Sequence, residues 1–373
     1  MTVRQSAGVK CFTESSMKRD NSIFIKNIYY MLSYAFTALK GSVYEDVRTE
    51  AFDNIWNLFA AILSKGIGLQ LKQGLYREYL NRVEDLSVVR GKINIPGTIR
   101  NRLKQRVAVT CDYDELSVNN LLNQILKSTV FLLLKRTDVE DKYKAELKKE
   151  MLYFSGVENT DLNQVRWSDI RFQRNNRNYQ LLLGICQLLT EGALMTTESG
   201  ENHLASFIDE QRMCRLYEKF ILEYYAQNYG RRIKGFSSRA LQIPWQLDDG
   251  YDALLPVMQT DITLTYGKQI LIIDAKYYKQ TMQNHFDVRT HHSGNLYQIF
   301  TYVKNKDVQV SGNGYKVSGM LLYAKTDEPV VPDHVYQMSG NQISVKTLDL
   351  GQEFSEIEKQ LGQIVEDHFR IKS

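Results

Sequence analysis

The stretch PVMQTDITLTYGKQILIIDAKYYK, residues 256–279, decides the reading of this chain. Two β-rich runs flank a turn at Tyr266-Gly267-Lys268. Strand side chains alternate between faces, so Ile270, Ile272, Asp274 and Lys276 share one side of the second run. An apolar strand thereby delivers a carboxylate and an amine to one spot at its end. On the first run Asp261, Thr263 and Thr265 share a face, and an antiparallel hairpin brings Asp261 beside Asp274.

Two carboxylates brought together repel unless one takes a proton or a cation sits between them. A hard cation such as Mg²⁺ takes oxygen ligands, often with only one or two carboxylates, and leaves the other positions to water and substrate phosphate. A lysine beside such a cation positions or deprotonates an attacking water, or stabilises charge on the phosphate in flight. Asp followed by Asp-x-Lys on adjacent strands is therefore a workable device for hydrolysing a phosphodiester. Asp-x-Lys alone is common, and an Asp at a strand end often does no more than start a turn. The context is what gives weight here: a buried-type ILII strand, a second Asp on the preceding strand, and a following helix with Gln298 and Tyr302. Those two stand at i and i+4 and so share a helical face.

Around this stretch the chain divides into halves of different texture. Residues 1–21 are polar and without periodicity, as in a mobile tail. Ile28, Met31, Leu32, Ala35 and Leu39 mark one face of a helix that Gly41 ends, and a second helix is expected over 50–65, stopping at Gly66. From 68 to 110, short β-rich runs broken at Gly74, Gly91 and Pro96-Gly97 suggest a small sheet. Helices are expected over 117–136, 139–150 and 178–194, with a basic loop (Arg166, Arg171, Arg174, Arg177) between the last two. A polar segment at 198–203 reads as a linker, with the domain boundary near 200. Beyond it the pattern predicts a helix over 206–229 and strands near 239–246, 257–265 and 269–275. A helix over 293–305, strands at 317–324 and 334–346, and a helix over 352–369 complete it. A helix between strands implies one parallel crossover. The expectation is thus an α+β N-terminal domain, helices plus a small sheet, over 22–200, followed by an α/β domain over 201–373.

Composition narrows the function classes. Of 373 residues, 43% are hydrophobic and 24% charged, which is ordinary for a folded chain. The longest apolar runs, such as Val130 to Leu134, fall far short of the ~18 residues a spanning helix needs. The N-terminus lacks the apolar core of a secretory signal, so a cytoplasmic protein without membrane contact is expected. The four cysteines (Cys11, Cys111, Cys186, Cys214) form no CxxC pair, and His291-His292 belongs to no HExxH pattern, so a zinc site is not expected. Net charge is +4, but its distribution says more than its sum. Arg90, Lys92, Arg100, Arg102, Lys104 and Arg106 fall within one stretch that holds no acid, a candidate contact for an acidic protein surface or a DNA backbone. No GxxxxGK[ST] loop occurs, so nothing suggests that this chain hydrolyses a nucleotide itself.

Asp261, Asp274-Ala275-Lys276 and Gln298-x-x-x-Tyr302 resemble the PD-(D/E)xK restriction-endonuclease-like pattern with the QxxxY helix of its RecB-like branch. The proline of that pattern is displaced: Pro256 stands five residues before Asp261. The resemblance extends further, through NIYYMLSYAF (27–36), LSKGIGLQL (63–71), RGKINIPGTIR (90–100), TDITL (261–265), ILIIDAKYYK (270–279) and NLYQIFTY (295–302). In that order these segments are similar to McrC, the nuclease subunit family of the McrBC modification-dependent, 5-methylcytosine-specific restriction systems.

The resemblance implies a PD-(D/E)xK fold for the second domain and an endodeoxyribonuclease that uses Mg²⁺ on double-stranded DNA. Asp261 and Asp274 would be metal ligands together with the backbone carbonyl of Ala275. Lys276 would be the catalytic lysine, with Gln298 and Tyr302 supporting the site or contacting the DNA backbone. An upstream helix often adds an acid, and both Glu218 and Glu223 flank its apolar face. Glu218 is the preferred candidate. The resemblance also implies a partner: an AAA+ ring like McrB that binds and hydrolyses GTP, reads the methylated DNA, and is stimulated by the docked N-terminal domain. Two other readings compete. One is a non-enzymatic activator of an AAA+ motor, against which the intact Asp261, Asp274 and Lys276 argue. The other is a stand-alone RecB-like repair nuclease, against which the long McrC-like first half argues.

Overall fold

A computed structural model describes residues 19–20, 23–172, 177–193, 210–250, 254–277, 282–285, 288–325 and 332–371. The expected tail over 1–21 lies almost wholly outside the described residues, as do Arg174, the linker at 198–203 and the boundary near 200. A pair of two-residue strands, β1 (Arg19–Asp20) and β2 (Ile23–Phe24), leads into α1 (Ile25–Ala35). The short α2 (Glu45–Thr49) and long α3 (Ile55–Gln73) precede β3 (Glu78–Leu86), β4 (Lys92–Ile93), α4 (Ile95–Leu103) and β5 (Val109–Ser117). Helices α5 (Leu121–Lys135), α6 (Asp141–Met151) and α7 (Arg177–Ala193) follow. Next come α8 (Glu210–Tyr225) and the short strands β6 (Ser237–Arg239), β7 (Gln242–Ile243) and β8 (Met258–Gln259). The hairpin β9 (Ile262–Tyr266) and β10 (Gln269–Lys276) is succeeded by a second one, β11 (Met282–His285) and β12 (Val288–His291). The chain closes with α9 (Ser293–Gln309), β13 (Lys316–Ala324), β14 (His334–Met338), β15 (Asn341–Leu348) and α10 (Phe354–Phe369). Among the described residues no helix is long and apolar enough to cross a membrane.

The chain forms two units. One combines the described residues up to Lys40, Arg48–Ile55 and everything from α8 onward. The other holds Gly41–Val47 and the stretch from Trp56 to the end of α7. The expectation that 22–200 forms one domain therefore needs correction at its start, because α1 belongs with the C-terminal half. Its aromatic face explains why. Tyr30 stacks on Phe354 at 4.4 Å between ring centroids, and Tyr34 meets Phe220 at 5.7 Å and Tyr224 at 5.4 Å. Asn27 Nδ2, buried, donates to the carbonyls of Leu350 and Gln352 at 2.8 and 2.7 Å.

The C-terminal unit is built on a six-stranded sheet in the order β14-β15-β13-β10-β9-β6. Strands β10, β13 and β15 are parallel, with α9 as the crossover from β10 to β13, while β9, β6 and β14 run antiparallel to their neighbours. The expected parallel crossover is present. The single strand expected over 334–346 is instead a hairpin, because Ser339 (φ 50°) and Gly340 (φ 90°) form a two-residue turn of the kind that joins twisted strands. One face of the sheet packs on α9 through Ile272, Leu321, Tyr323, Ile343 and Val345 against Ile299, Tyr302 and Val303. Gly319 lets α9 settle there: a Cβ at that position would lie 2.8 Å from both Ile299 and Val303.

In the other unit α3 runs seven residues past its expected stop. Gly66 does not cap it. A Cβ there would sit 2.5 Å from Leu182 and 2.6 Å from the Tyr44 hydroxyl, so the glycine serves close helix packing. The expected small sheet exists as β3-β5-β4. Between β4 and β5 the chain forms a helix where broken strand is expected: Pro96 lies in the first turn of α4, where its missing N–H costs nothing, and the Asn94 side chain caps that turn by accepting from Gly97 N at 3.0 Å.

This unit carries an acidic pair between α3 and α6. Ser64 Oγ lies 3.1 Å from both Glu146 Oε2 and Glu150 Oε1. One hydroxyl hydrogen serves one acceptor, so the second contact needs a proton on a carboxyl. Burial pushes Glu150 up to about 8, which supplies it. A folded-state value above the usual one means that ionisation opposes folding. Stability is full below the solvated glutamate range and is lost as pH rises towards 8. Glu150→Gln is expected to melt like the wild type near about pH 5 and several degrees higher near about pH 9. Thermal melts across that range check this; an offset independent of pH would show that Glu150 is not the titrating group.

Candidate active site

The β9–β10 hairpin assembles the site at the end of the sheet. Its register pairs Ile262 with Ile273, which sets Asp261, immediately before β9, opposite Asp274. Asp261 Oδ2 accepts from the Ala275 backbone N–H at 3.0 Å, so the carboxylate is fixed against the edge of β10. Asp274 is only 1% exposed, and neither of its oxygens receives an aligned hydrogen bond from the described residues. The Lys276 ammonium stands 2.9 Å from Asp274 Oδ2 as an ion partner. The charge of Asp261 acts on the Asp274 carboxyl and raises its pKa.

The chain of contacts continues onto α9. Lys276 Nζ donates to Gln298 Oε1 at 3.3 Å, and Gln298 Nε2 donates to the Tyr302 hydroxyl at 2.9 Å. The i, i+4 pair thus forms a relay that holds the lysine from its far side. Lys276 is 12% exposed at its side chain, too buried to be a solvated surface charge. Pro256 stays outside the cluster; its carbonyl accepts from Trp245 Nε1 at 2.7 Å.

The two acids of the upstream helix lie in different surroundings. Glu218 on α8 is partly buried and feels the charges of Asp261 and Lys276, and Cys214 Sγ lies 3.1 Å from its Oε1. Glu223 instead accepts from Gln227 Nε2 at 3.2 Å, and Gln227 is held in turn by Lys40 at 2.8 Å. Five side chains named from the sequence therefore converge with the Ala275 peptide: Asp261, Asp274, Lys276, Gln298 and Tyr302. Glu218 joins them.

The electrostatics of the cluster are those of a site short of positive charge. Burial raises the pKa of Asp261, Asp274 and Glu218, in each case as the largest cause. Lys276 opposes the rise at all three. Asp261 adds to it at Asp274 and at Glu218. One lysine does not balance three carboxyls in a poorly solvated place, and a cation would. The donor set is all oxygen, as Mg²⁺ requires. Among the described residues no three His, Cys, Asp or Glu side chains form a ready-made metal cage. A Mg²⁺ site does not need one, since it keeps several waters and uses one or two carboxylates.

Sequence reasoning passed over Cys214, Asn295 and Tyr323. Asn295, on α9 one turn before Gln298, donates from Nδ2 to the Tyr323 hydroxyl at 2.9 Å, and Tyr323 pairs with Lys276 across the sheet. The i, i+3 spacing of Asn295 and Gln298 was the available signal for the first. Cys214 stands four residues before Glu218 and could have been found in the same way, whereas nothing in the sequence marks Tyr323.

The basic residues named as a partner contact lie in the other unit and are all exposed. Arg90 covers the Tyr113 ring at 4.1 Å and reaches Glu115 at 3.5 Å. Arg100 and Arg102 lie on α4, Lys104 and Arg106 just after it. Folding brings acids to this stretch that its sequence lacks. Asp85 accepts from the Thr110 hydroxyl at 2.5 Å and is held below the usual carboxylate range, chiefly by that bond, with Arg106 and Arg100 contributing.

Comparison with known proteins bears on the whole chain. A type IV methyl-directed restriction enzyme of Escherichia coli K12, EcoKMcrBC, is 27% identical over 350 residues, 93% of this chain and 98% of that protein. Among solved structures, a refined half-complex of Thermococcus gammatolerans McrB AAA+ hexamers with bound McrC matches with a TM-score of 0.48 and 18% identity. It covers 92% of this chain and 75% of that one. The cryo-EM structure of the McrBC complex from the same organism matches with a TM-score of 0.39 and 22% identity, over 57% of this chain and 60% of that one. A family model described as McrBC 5-methylcytosine restriction system component matches residues 10–324, and this chain belongs to that family.

Proposed function

We propose that this chain is the DNA-cutting subunit of a modification-dependent restriction complex, a PD-(D/E)xK endodeoxyribonuclease driven by a GTP-hydrolysing AAA+ ring. The observation that carries the reading is the buried cluster of Asp261, Asp274 and Lys276, joined by Glu218, within a chain of the McrBC family. A protein that only activated a motor would have no use for three carboxyls kept out of water around one lysine.

In this reading Asp261, Asp274 and the Ala275 carbonyl hold Mg²⁺, with Glu218 completing the acidic wall. Mg²⁺ held there would supply Lewis-acid charge for the scissile phosphate and for an attacking water. Lys276 supplies N–H donors and positive charge for the attacking water or the phosphate oxygens. Gln298 and Tyr302 keep that amine from swinging into solvent, and the buried β10 strand beneath keeps the site rigid. The other unit docks on the ring and raises its GTPase rate, and the ring reads the modified base. The complex works in the cytoplasm.

The test is cleavage of methylated DNA by the full chain purified with its AAA+ partner. Cutting should require Mg²⁺, GTP and the partner together. Efficient cutting by this chain alone would favour a stand-alone repair nuclease. A second measurement tests the docking role. Charge reversal at Arg100, Arg102, Lys104 and Arg106 in the full chain is expected to reduce stimulation of the partner's GTPase by about tenfold or more, roughly 1.4 kcal/mol of lost coupling. Stimulation by the wild type should itself fall as salt rises. Unchanged stimulation by the variant would assign docking to another surface.

A further inference from the structure

Cys214 occupies a position that the nuclease reading leaves unexplained. It lies on α8 one turn before Glu218, with Sγ 3.1 Å from Glu218 Oε1 and 3.8 Å from the Ala275 carbonyl oxygen. The thiol carries one hydrogen, and both acceptors within its reach are oxygens of the acidic site. We infer that Cys214 is a positioning residue: its S–H donates to Glu218 while the sulfur rests against the end of β10, aiming that carboxyl at Asp261 and Asp274 before any cation arrives.

The geometry favours this over simple space-filling. Glu218 is repelled by Asp261, so an unrestrained side chain would turn away towards solvent and Arg215, whose charge also acts on it. A donor on its near side holds it in. The Cys214 thiol is suited to the task because it offers a single donor on that near side, within reach of Glu218 Oε1. Groups that orient metal ligands typically change metal affinity by about 10–100-fold when removed.

This inference rests on the nuclease reading and on Mg²⁺ at the site, and the experiment separates their failures. Mn²⁺ binding to the full-length protein is measured by calorimetry for the wild type, Asp274→Asn, Cys214→Ala, Cys214→Val and Cys214→Ser. Cys214→Ala and Cys214→Val are expected to bind Mn²⁺ about tenfold more weakly, the lower part of the range for lost orienting groups. Valine retains the volume should alanine disturb the fold. Cys214→Ser keeps a donor and should stay within about threefold of the wild type. In a Glu218→Ala background the Cys214→Ala change should have little further effect, since the residue acts through Glu218. If Asp274→Asn loses Mn²⁺ while both donor-less variants bind like the wild type, the metal site stands and the role of Cys214 is refuted. Wild-type protein that takes up no Mn²⁺ would overturn the metal reading and this inference together.

Discussion

Asp274→Asn is expected to reduce DNA cleavage by the assembled complex at least about a thousandfold, the equivalent of roughly 4 kcal/mol of lost transition-state stabilisation. The amide keeps the shape of the carboxyl but loses its charge and half its ligand capacity. The same variant should fold normally and melt at the wild-type temperature or above it. Burial and the neighbouring Asp261 already make the native carboxyl a liability to the folded state. It should also stimulate the partner's GTPase in full if, as proposed, the docking contacts belong to the other unit. Cleavage at near wild-type rate would remove Asp274 from the metal. Loss of cleavage together with a large drop in melting temperature would mean that the residue is structural.

Lys276→Met should lower cleavage by at least about a hundredfold, the lower end for removal of a positioned proton-transfer or charge-stabilising group. Methionine retains most of the stem, so packing along β10 persists. Mn²⁺ affinity should be retained, since the amine is not a ligand, and it should even tighten slightly as a competing positive charge 2.9 Å from Asp274 is removed. Measuring metal binding and single-turnover cutting on one preparation distinguishes the two roles. A variant that cuts almost normally would leave Lys276 as no more than the counter-ion of Asp274.

Much of the candidate site was legible because it depends on local periodicity. The alternation in 261–276 and the turn at Gly267 specify a hairpin, and the hairpin register alone sets Asp261 against Asp274. Gln298 and Tyr302 needed only the 3.6-residue period. The choice between Glu218 and Glu223 was not legible, since both flank the apolar face of α8, and what separates them is which elements pack on each flank. Glycine and proline misled where tertiary contacts give them other uses. Gly66 reads as a stop but lies where α3 meets Leu182, and Pro96 reads as a break but opens α4. The Ser339-Gly340 turn was visible in the letters and was passed over.

The company kept by α1 has a consequence for how the chain comes into being. Its aromatic face is covered by Phe220, Tyr224 and Phe354, residues that the ribosome delivers long after Tyr30 and Tyr34. At about 5–20 residues per second, roughly a quarter of a minute to a minute passes between translation of α1 and of α10. About midway through that interval the intervening unit has all of its own sequence, while Tyr30 upstream still waits for Phe354. The nascent polypeptide is therefore expected to show its greatest need for chaperone shelter at its first helix. A trigger-factor crosslink at Tyr30 should persist until residues near Phe354 have left the exit tunnel.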